Sequence, residues 1–295
     1  MSSKPKISII TPSYNQGQFL EQTILSVLGQ EYPNIEYIIM DGGSTDASVS
    51  IIKKYESRLA YWSSGKDGGQ AAAINAGFEK ATGELLLWLN SDDMLMPGVL
   101  DFVAKQYQEH GDAIYFGNCI HFHEINQDAL DTRGSDVVTA HKKKDLKAID
   151  YIIQPSSFWT KKVWEQNGVL DSALHFGFDW EWFLRAQKNG VAFHSFSRPL
   201  SLYRIHEDHK SGASGDKRQK ELLLIYERYH RENALLFQKL MQEKVWDTSI
   251  FKLFKKLCKA INSNYFTDAV LLKIYKYNKY KNYKTKTITS VRAML

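Results

Sequence analysis

Over its first 120 residues the chain alternates between two hydrophobic periods. Ile7-Ser8-Ile9-Ile10 is a short apolar run ending at Thr11-Pro12, the pattern of a buried strand. Phe19, Leu20, Ile24, Val27 and Leu28 then recur at helical spacing. A second strand is predicted over Ile35–Met40, closed by Asp41-Gly42-Gly43. A helix over Ser48–Tyr55, a short strand over Leu59–Trp62 and an Ala-rich helix over Gln70–Lys80 follow. Glu84–Leu89 is a third strong strand, Pro97 opens a helix at its favoured first-turn position, and Ala113–Phe116 is a further strand. Residues 125–150 read as a polar loop, Asp179–Lys188 as a helix, and 216–244 as charged helix. Such strand–helix alternation predicts a mostly parallel α/β sheet with helices on both faces.

Sheets of this kind bind ligands in the crevice beyond the carboxyl ends of their strands. Three polar clusters fall at those ends: Thr11-Pro12-Ser13-Tyr14-Asn15, Asp41-Gly42-Gly43-Ser44-Thr45-Asp46 and Asn90-Ser91-Asp92-Asp93. One sheet edge is therefore the place to look for chemistry.

Composition narrows the class. With 43% hydrophobic and 13% aromatic residues, most of the chain has ample surface to bury, which excludes extensive disorder. Two widely separated cysteines, Cys119 and Cys258, exclude a disulfide scaffold and a structural zinc site, and they fit a reducing compartment. No apolar run approaches the ~18 residues of a membrane span, and the N-terminal stretch is too short for a secretory signal, so a cytosolic location is expected. The net charge of +5 is unevenly placed: residues 241–295 hold 12 Lys/Arg against 3 Asp/Glu, whereas 1–240 hold 26 against 30. A mildly acidic body with a basic tail calls for an anionic partner.

No GxGxxG follows the first strand and no GxxxxGK[ST] occurs, which argues against a dinucleotide fold and a P-loop nucleotidase; Ser91 lacks the GxSxG elbow of a serine hydrolase. Asp92 and Asp93 are adjacent carboxylates that repel unless a cation or solvent separates them. They read equally as ligands of magnesium or manganese and as the cap of the helix that Pro97 opens. Asp41 precedes two glycines and reads as a ligand acceptor or as a simple Asp-Gly turn. Asp179, set among Phe176, Phe178, Trp180 and Trp182, is a buried capping group or a general base. Glu181 stands two positions on and points elsewhere on a helix. His206 is open to a structural or a ligand-binding role.

Together these segments resemble the family 2 glycosyltransferases of the GT-A fold. The matching stretches run from Ile9-Ile10-Thr11-Pro12-Ser13-Tyr14-Asn15 through Asp41–Asp46, Asp67-Gly68-Gly69 with Ala73-Ile74-Asn75, and Trp88–Asp93. They continue with Gln154–Phe158 and Phe178–Glu181 to Tyr203-Arg204-Ile205-His206, covering about residues 5–210. The resemblance implies a GT-A-type, Rossmann-like sheet in a domain over 1–215, with a nucleotide-sugar half to about 120 and an acceptor half beyond it. Residues 216–295 form a helical, basic C-terminal extension. The implied activity is metal-dependent, inverting transfer from a nucleotide sugar, a UDP-sugar, to a hydroxyl of a glycan or lipid-linked acceptor in cell-surface polysaccharide synthesis.

The resemblance also assigns roles. Thr11, Pro12, Ser13 and Tyr14 would line the nucleotide pocket, with Asp41 accepting from the base and Asp67 contacting nucleoside or sugar. Gln70, Asn75, Asn90 and Ser91 complete the donor set. Asp92, the last position of the Asp-x-Asp element, would ligate Mn or Mg together with His206, with Asp93 as a second choice. Asp179 falls on the general base, with Glu181 as its alternative. Two positions depart from the pattern: Asn90 replaces the first Asp of the element, and Ala72 stands where many relatives carry Asp.

In the tail, Ile250, Phe251, Phe254, Leu257, Cys258 and Ile261 fall near one helical face and Lys252, Lys255, Lys256 and Lys259 towards the other. Further lysines alternate with tyrosines over Lys273–Lys286. This pattern suits peripheral docking on the anionic inner face of a membrane, or packing on the domain itself; nucleic acid is not expected as a partner. Two other functions compete with the transferase. One is a sugar-nucleotide nucleotidyltransferase, which calls for a Gly-rich basic loop after the first strand; the other is a non-catalytic nucleotide- or sugar-binding module.

Overall fold

In the computed structural model, residues 4–126, 129–206, 215–243, 253, 256, 273 and 277–295 are described. The strands are β1 (Ile7–Ser13), β2 (Ile35–Asp41), β3 (Tyr61–Ser64), β4 (Leu85–Trp88), β5 (Met94–Leu95), β6 (Ile114–Asn126), β7 (Ala129–Gly134), β8 (Ser157–Thr160) and β9 (Phe193–Arg204). They form one sheet in the order β3-β2-β1-β4-β8-β6-β9-β5, with β7 paired to β6. The half containing β3, β2, β1 and β4 is parallel throughout. Beyond it β8 runs antiparallel to both β4 and β6, while β6 and β9 are parallel again. Every residue of β1 is buried, as expected of a central strand covered on both faces, and this is why the adjacent Ile9 and Ile10, on opposite faces, are both apolar.

Helices α1 (Gly17–Leu28), α2 (Ser48–Lys54), α3 (Gln70–Lys80), α4 (Val99–His110), α5 (Val137–Lys143), α6 (Lys161–Asn167) and α7 (Phe178–Lys188) flank the sheet. Helix α1 buries Leu20, Thr23, Ile24 and Val27, the apolar stripe visible in the sequence. Helix α3 lies so close to β1 that a Cβ on Gly77 would stand 2.5 Å from Ile10 Cγ2, so only glycine permits this approach. A cluster of rings joins α3, β4, β8, α6 and α7: Trp159 lies 5.2 Å from Trp88 and 4.8 Å from Trp182, and Phe78 lies 4.4 Å from Trp164. This cluster fixes α7 against the sheet and so determines where its first turn opens.

Several predicted elements differ: Pro97 lies before the Gly98 cap of α4 instead of in its first turn, and the helix expected over 216–244 is two helices, Asp216–Tyr229 and Arg231–Glu243. Residues 125–150 are not simply a loop: β6 runs on to Asn126 and pairs antiparallel with β7, and α5 follows. The sequence concealed this extension because His121, His123 and Glu124 surround the lone buried Phe122, leaving too little apolar alternation to read. The strand predicted over Leu59–Trp62 begins two residues later, at Tyr61, because a single 3₁₀ turn occupies Glu56–Arg58.

The chain divides into two compact units, residues 1–143 with 151–212 and residues 144–150 with 213–295. In the second, α8 (Asp216–Tyr229) and α9 (Arg231–Glu243) are followed by α10 (Tyr277–Tyr280) and α11 (Thr285–Ala293). The Tyr226 hydroxyl donates to the Ala148 carbonyl at 2.8 Å and the Asn233 amide to that of Lys147 at 2.7 Å. Arg218 closes the end of α11 by donating to the Met294 carbonyl at 2.9 Å. Of the amphipathic stretch 250–261 only Leu253 and Lys256 lie within the described residues. No helix among the described residues is long and apolar enough to cross a membrane.

Candidate active site

The carboxyl ends of β1 and β2 are joined by a lattice of short polar contacts. Asn15 sits in the left-handed region with φ 51°, where Asn is tolerated. Its N–H donates to Ser44 Oγ at 2.8 Å and its Oδ1 accepts the Thr45 N–H at 2.9 Å. The Gly17 N–H donates to Asp46 Oδ2 at 2.8 Å and the Gln16 N–H to Ser48 Oγ at 3.2 Å. The loop that carries Tyr14 is thus held rigid while its ring remains 64% exposed. Opposite the ring is Asp67: a Cβ on Gly42 would lie 3.0 Å from Asp67 Oδ2 and 3.3 Å from Tyr14 Cδ2. Tyr14, Gly42 and Asp67 therefore share one small space.

Several predicted donor contacts are placed otherwise. The Asp41 carboxylate is buried and closes its own turn, accepting from the N–H groups of Gly43 and Ser44 at 3.1 and 2.9 Å and from the hydroxyls of Ser44 and Ser64 at 2.5 and 2.6 Å. This is the Asp-Gly turn reading, and it leaves little acceptor capacity for a base. The Thr11 side chain faces the core, where its hydroxyl meets that of Tyr37 at 3.1 Å, and Pro12 is buried beside it. Asn75 is drawn away by the backbone of Leu170, to which it both donates and accepts at 2.9 Å, so its amide straps α3 to a later loop instead of facing the strand ends. Ser13 and Ser91 are buried too; Ser13 Oγ has no hydrogen-bond partner among the described residues.

After β4 the chain turns through Asn90-Ser91-Asp92-Asp93, and its neighbours hold that turn from several sides. Thr23 Oγ1, from α1, lies 2.9 and 2.7 Å from the carbonyl oxygens of Ser91 and Asp93. Gln70 donates to Asn90 Oδ1 at 2.9 Å, while Asn90 Nδ2 lies 3.4 Å from both Asp93 Oδ2 and Gln154 Oε1. Gln154 in turn donates to the Trp88 carbonyl at 2.6 Å. Asp92 Oδ2 lies 3.0 Å from His206 Nε2, with 21% and 13% of the two side chains exposed.

Asp93 has a different environment. Its side chain is buried, and burial first, then the Asp92 charge, push its carboxyl well above the usual carboxylate range. It is thus poorly placed to compete with Asp92 for a cation. A raised folded-state pKa means that stability falls as pH climbs from about 4, where an unfolded Asp ionises, through the folded value. Asp93→Asn is accordingly expected to melt higher than the parent protein at pH 7, by about 2–4 °C per kcal/mol relieved, with the gap closing towards pH 4. Melting curves over that range give the test; an unchanged or lower midpoint at pH 7 would mean that the ionised Asp93 is stabilising.

Helix α7 opens at Gly177, which has φ 64° and turns the chain sharply into Phe178 and Asp179. The Phe178 ring lies 6.1 Å from that of Trp88, so this first turn stands beside the carboxyl end of β4. Asp179 is half-buried and accepts the Trp180 N–H at 2.9 Å. Glu181 is 4% exposed and engaged by Arg185, with contacts of 3.0 and 3.3 Å; that guanidinium also donates to the Val169 carbonyl at 2.8 Å. Glu181 is thus part of the scaffold, and of the two carboxylates Asp179 is the more accessible.

The donor set suits a hard divalent cation only in part. One carboxylate and one imidazole stand together, and no cluster of three His, Cys, Asp or Glu side chains occurs among the described residues. A magnesium or manganese ion held here would complete its shell from diphosphate oxygens and water, as such ions commonly do. Sequence reasoning missed Thr23, Gln154 and Arg204. Gln154 and Arg204 lie inside the matching stretches, but their partners are far away in sequence, so no local spacing could reveal their roles.

The mostly parallel sheet, with Tyr14, Asp67 and the Asp92–His206 pair beyond its strands, has the architecture of the GT-A fold. Residues 8–158, just over half the chain, match the family model described as Glycosyl transferase family 2, and the chain belongs to that family. An uncharacterized glycosyltransferase of Haemophilus influenzae is 46% identical over 94 residues, 31% of this chain and 38% of that protein. The GalNAc(5)-diNAcBac-PP-undecaprenol beta-1,3-glucosyltransferase of Campylobacter jejuni is 32% identical over 124 residues, 39% of this chain and 38% of its own. The matched part of the chain thus spans under two fifths of both curated relatives. Among solved structures, S. aureus TarS 1-349 in complex with UDP-GlcNAc shares the fold with a TM-score of 0.63 at 18% identity, covering 98% of this chain and 90% of that one.

Proposed function

We propose that this family 2 member moves a sugar from a UDP-sugar to a hydroxyl of a glycan or lipid-linked acceptor, with inversion at the anomeric carbon, in cell-surface polysaccharide synthesis. The observation that carries the proposal is the Asp92–His206 pair, 3.0 Å apart at the end of β4 and partly open to solvent. The UDP-GlcNAc complex of a structural neighbour supports the uridine donor, and the name of the Campylobacter jejuni relative supports a lipid-linked acceptor.

In this reading the acceptor oxygen attacks the anomeric carbon as the bond to the diphosphate breaks, and the acceptor proton passes to Asp179. Tyr14 presents a flat face to the base, and Asp67 faces the nucleoside or sugar. A Mn or Mg ion held by Asp92 and His206 would supply positive charge to the leaving diphosphate. Gln70 and Asn90 orient one another across the same edge. We place the transferase domain at 1–215 and assign the basic segment 216–295 to docking on the anionic inner face of the membrane, in the cytoplasm.

The test is nucleoside diphosphate release from a panel of nucleotide sugars, with vesicles of anionic lipid present. UDP release and cosedimentation with the vesicles are expected. No release from any donor would contradict the transferase reading, and full cosedimentation of a chain ending at residue 244 would remove the tail from the membrane reading.

A further inference from the structure

Arg204 ends β9 and is 3% exposed, yet its guanidinium has contacts on every side. It is sandwiched between two rings, with Cζ 4.7 Å from the centroid of Phe19 and 4.6 Å from that of Phe122. One terminal nitrogen donates to Glu124 and the other to Gln22 Oε1. Nε donates to the Asp92 carbonyl at 3.2 Å, and the Arg204 main-chain N–H donates to Asp93 Oδ1 at 3.2 Å. The Phe19 ring also meets the His206 ring, with centroids 4.7 Å apart and planes at 50°.

We infer that Arg204 is a positioning residue that fixes the backbone at Asp92 and, through the shared Phe19 ring, the imidazole of His206, in the arrangement that receives a cation and a diphosphate. The inference rests on the reading of Asp92 and His206 given above. A buried arginine needs a carboxylate partner, and Glu124 meets that need alone. Glu124 does not account for the Nε bond to the Asp92 carbonyl, the main-chain bond to Asp93 or the ring common to Arg204 and His206. All three meet at the turn that carries Asp92 and at the His206 ring beside it. The fork geometry of a planar guanidinium permits such simultaneous contacts, and a lysine ammonium, with its rotating point charge, does not reproduce them. Outer contacts of this kind set the orientation of metal-ligating side chains.

Calorimetric titration of Arg204→Lys and Phe19→Leu with UDP, in the absence and presence of Mn²⁺, tests the inference. The Mn²⁺ electron paramagnetic resonance spectrum provides a second readout. Both variants are expected to bind UDP without metal within twofold of the parent. The affinity gained from Mn²⁺ is expected to fall tenfold or more in Arg204→Lys and three- to tenfold in Phe19→Leu, with an altered spectrum for the bound ion. A cooperatively melting variant whose Mn²⁺-dependent gain stays within twofold of the parent overturns the inference. If Arg204→Lys does not fold, Phe19→Leu decides alone. A parent protein with no Mn²⁺-dependent gain overturns the underlying site reading and this inference with it.

Discussion

Asp179→Asn is expected to lower kcat by about 10²–10⁴-fold while the affinity for the donor stays within about twofold, the range over which a positioned base acts. The substitution is nearly isosteric, and an Asn Oδ1 still accepts the Trp180 N–H that Asp179 binds at 2.9 Å, so this contact in the first turn of α7 is retained. The ring contact between Phe178 and Trp88 is untouched, and with it the position of the turn beside β4. What disappears is proton acceptance at that carboxyl. Glu181→Gln provides the contrast: it breaks a buried ion pair with Arg185 that holds the Val169 carbonyl, so its main effect is expected on the melting midpoint. Single-turnover rates together with donor titrations distinguish the two. Turnover retained in Asp179→Asn would remove it from the role of base.

Asp92→Ala is expected to abolish the metal-dependent part of UDP binding and to lower kcat/KM by about 10²–10³-fold, the scale seen when electrostatic stabilisation of a leaving group is lost. Asp93 offers no substitute, because its side chain is buried and accepts the N–H of Arg204 at 3.2 Å. His206 then remains as the one side chain of the pair, against the Phe19 ring. The fold should survive, since the Asp92 side chain is partly exposed and the turn stays tied to Thr23 through the carbonyls of Ser91 and Asp93. Titrations with UDP and Mn²⁺ on the variant measure the loss; an undiminished response to metal would move the cation elsewhere.

Much of the parallel half of the fold was legible, because buried strands such as β4 read as unbroken apolar runs and α1 shows its stripe at 3.6-residue spacing. The polar clusters at the strand ends were legible for the same reason: each follows directly on a strand. Side-chain direction was not. Thr11 and Tyr14 stand three residues apart in one motif, yet Thr11 turns into the core against Tyr37 while Tyr14 faces solvent. Asp41 was visible as a carboxylate at a strand end, but its four contacts with its own turn and Ser64 depend on how β2 and β3 lie in register. Asn75 and Arg204 depend on partners 95 and 112 positions away, Leu170 and Asp92, a separation that no local pattern encodes. The β6–β7 extension was hidden by its polar alternation.

The most direct measurement is calorimetric titration of the unsubstituted protein with UDP, with and without Mn²⁺, beside the other nucleoside diphosphates. Preferential binding of UDP, strengthened by the metal, is the expected result. Absence of binding by every nucleotide, with or without metal, would contradict a nucleotide-sugar site at these strand ends.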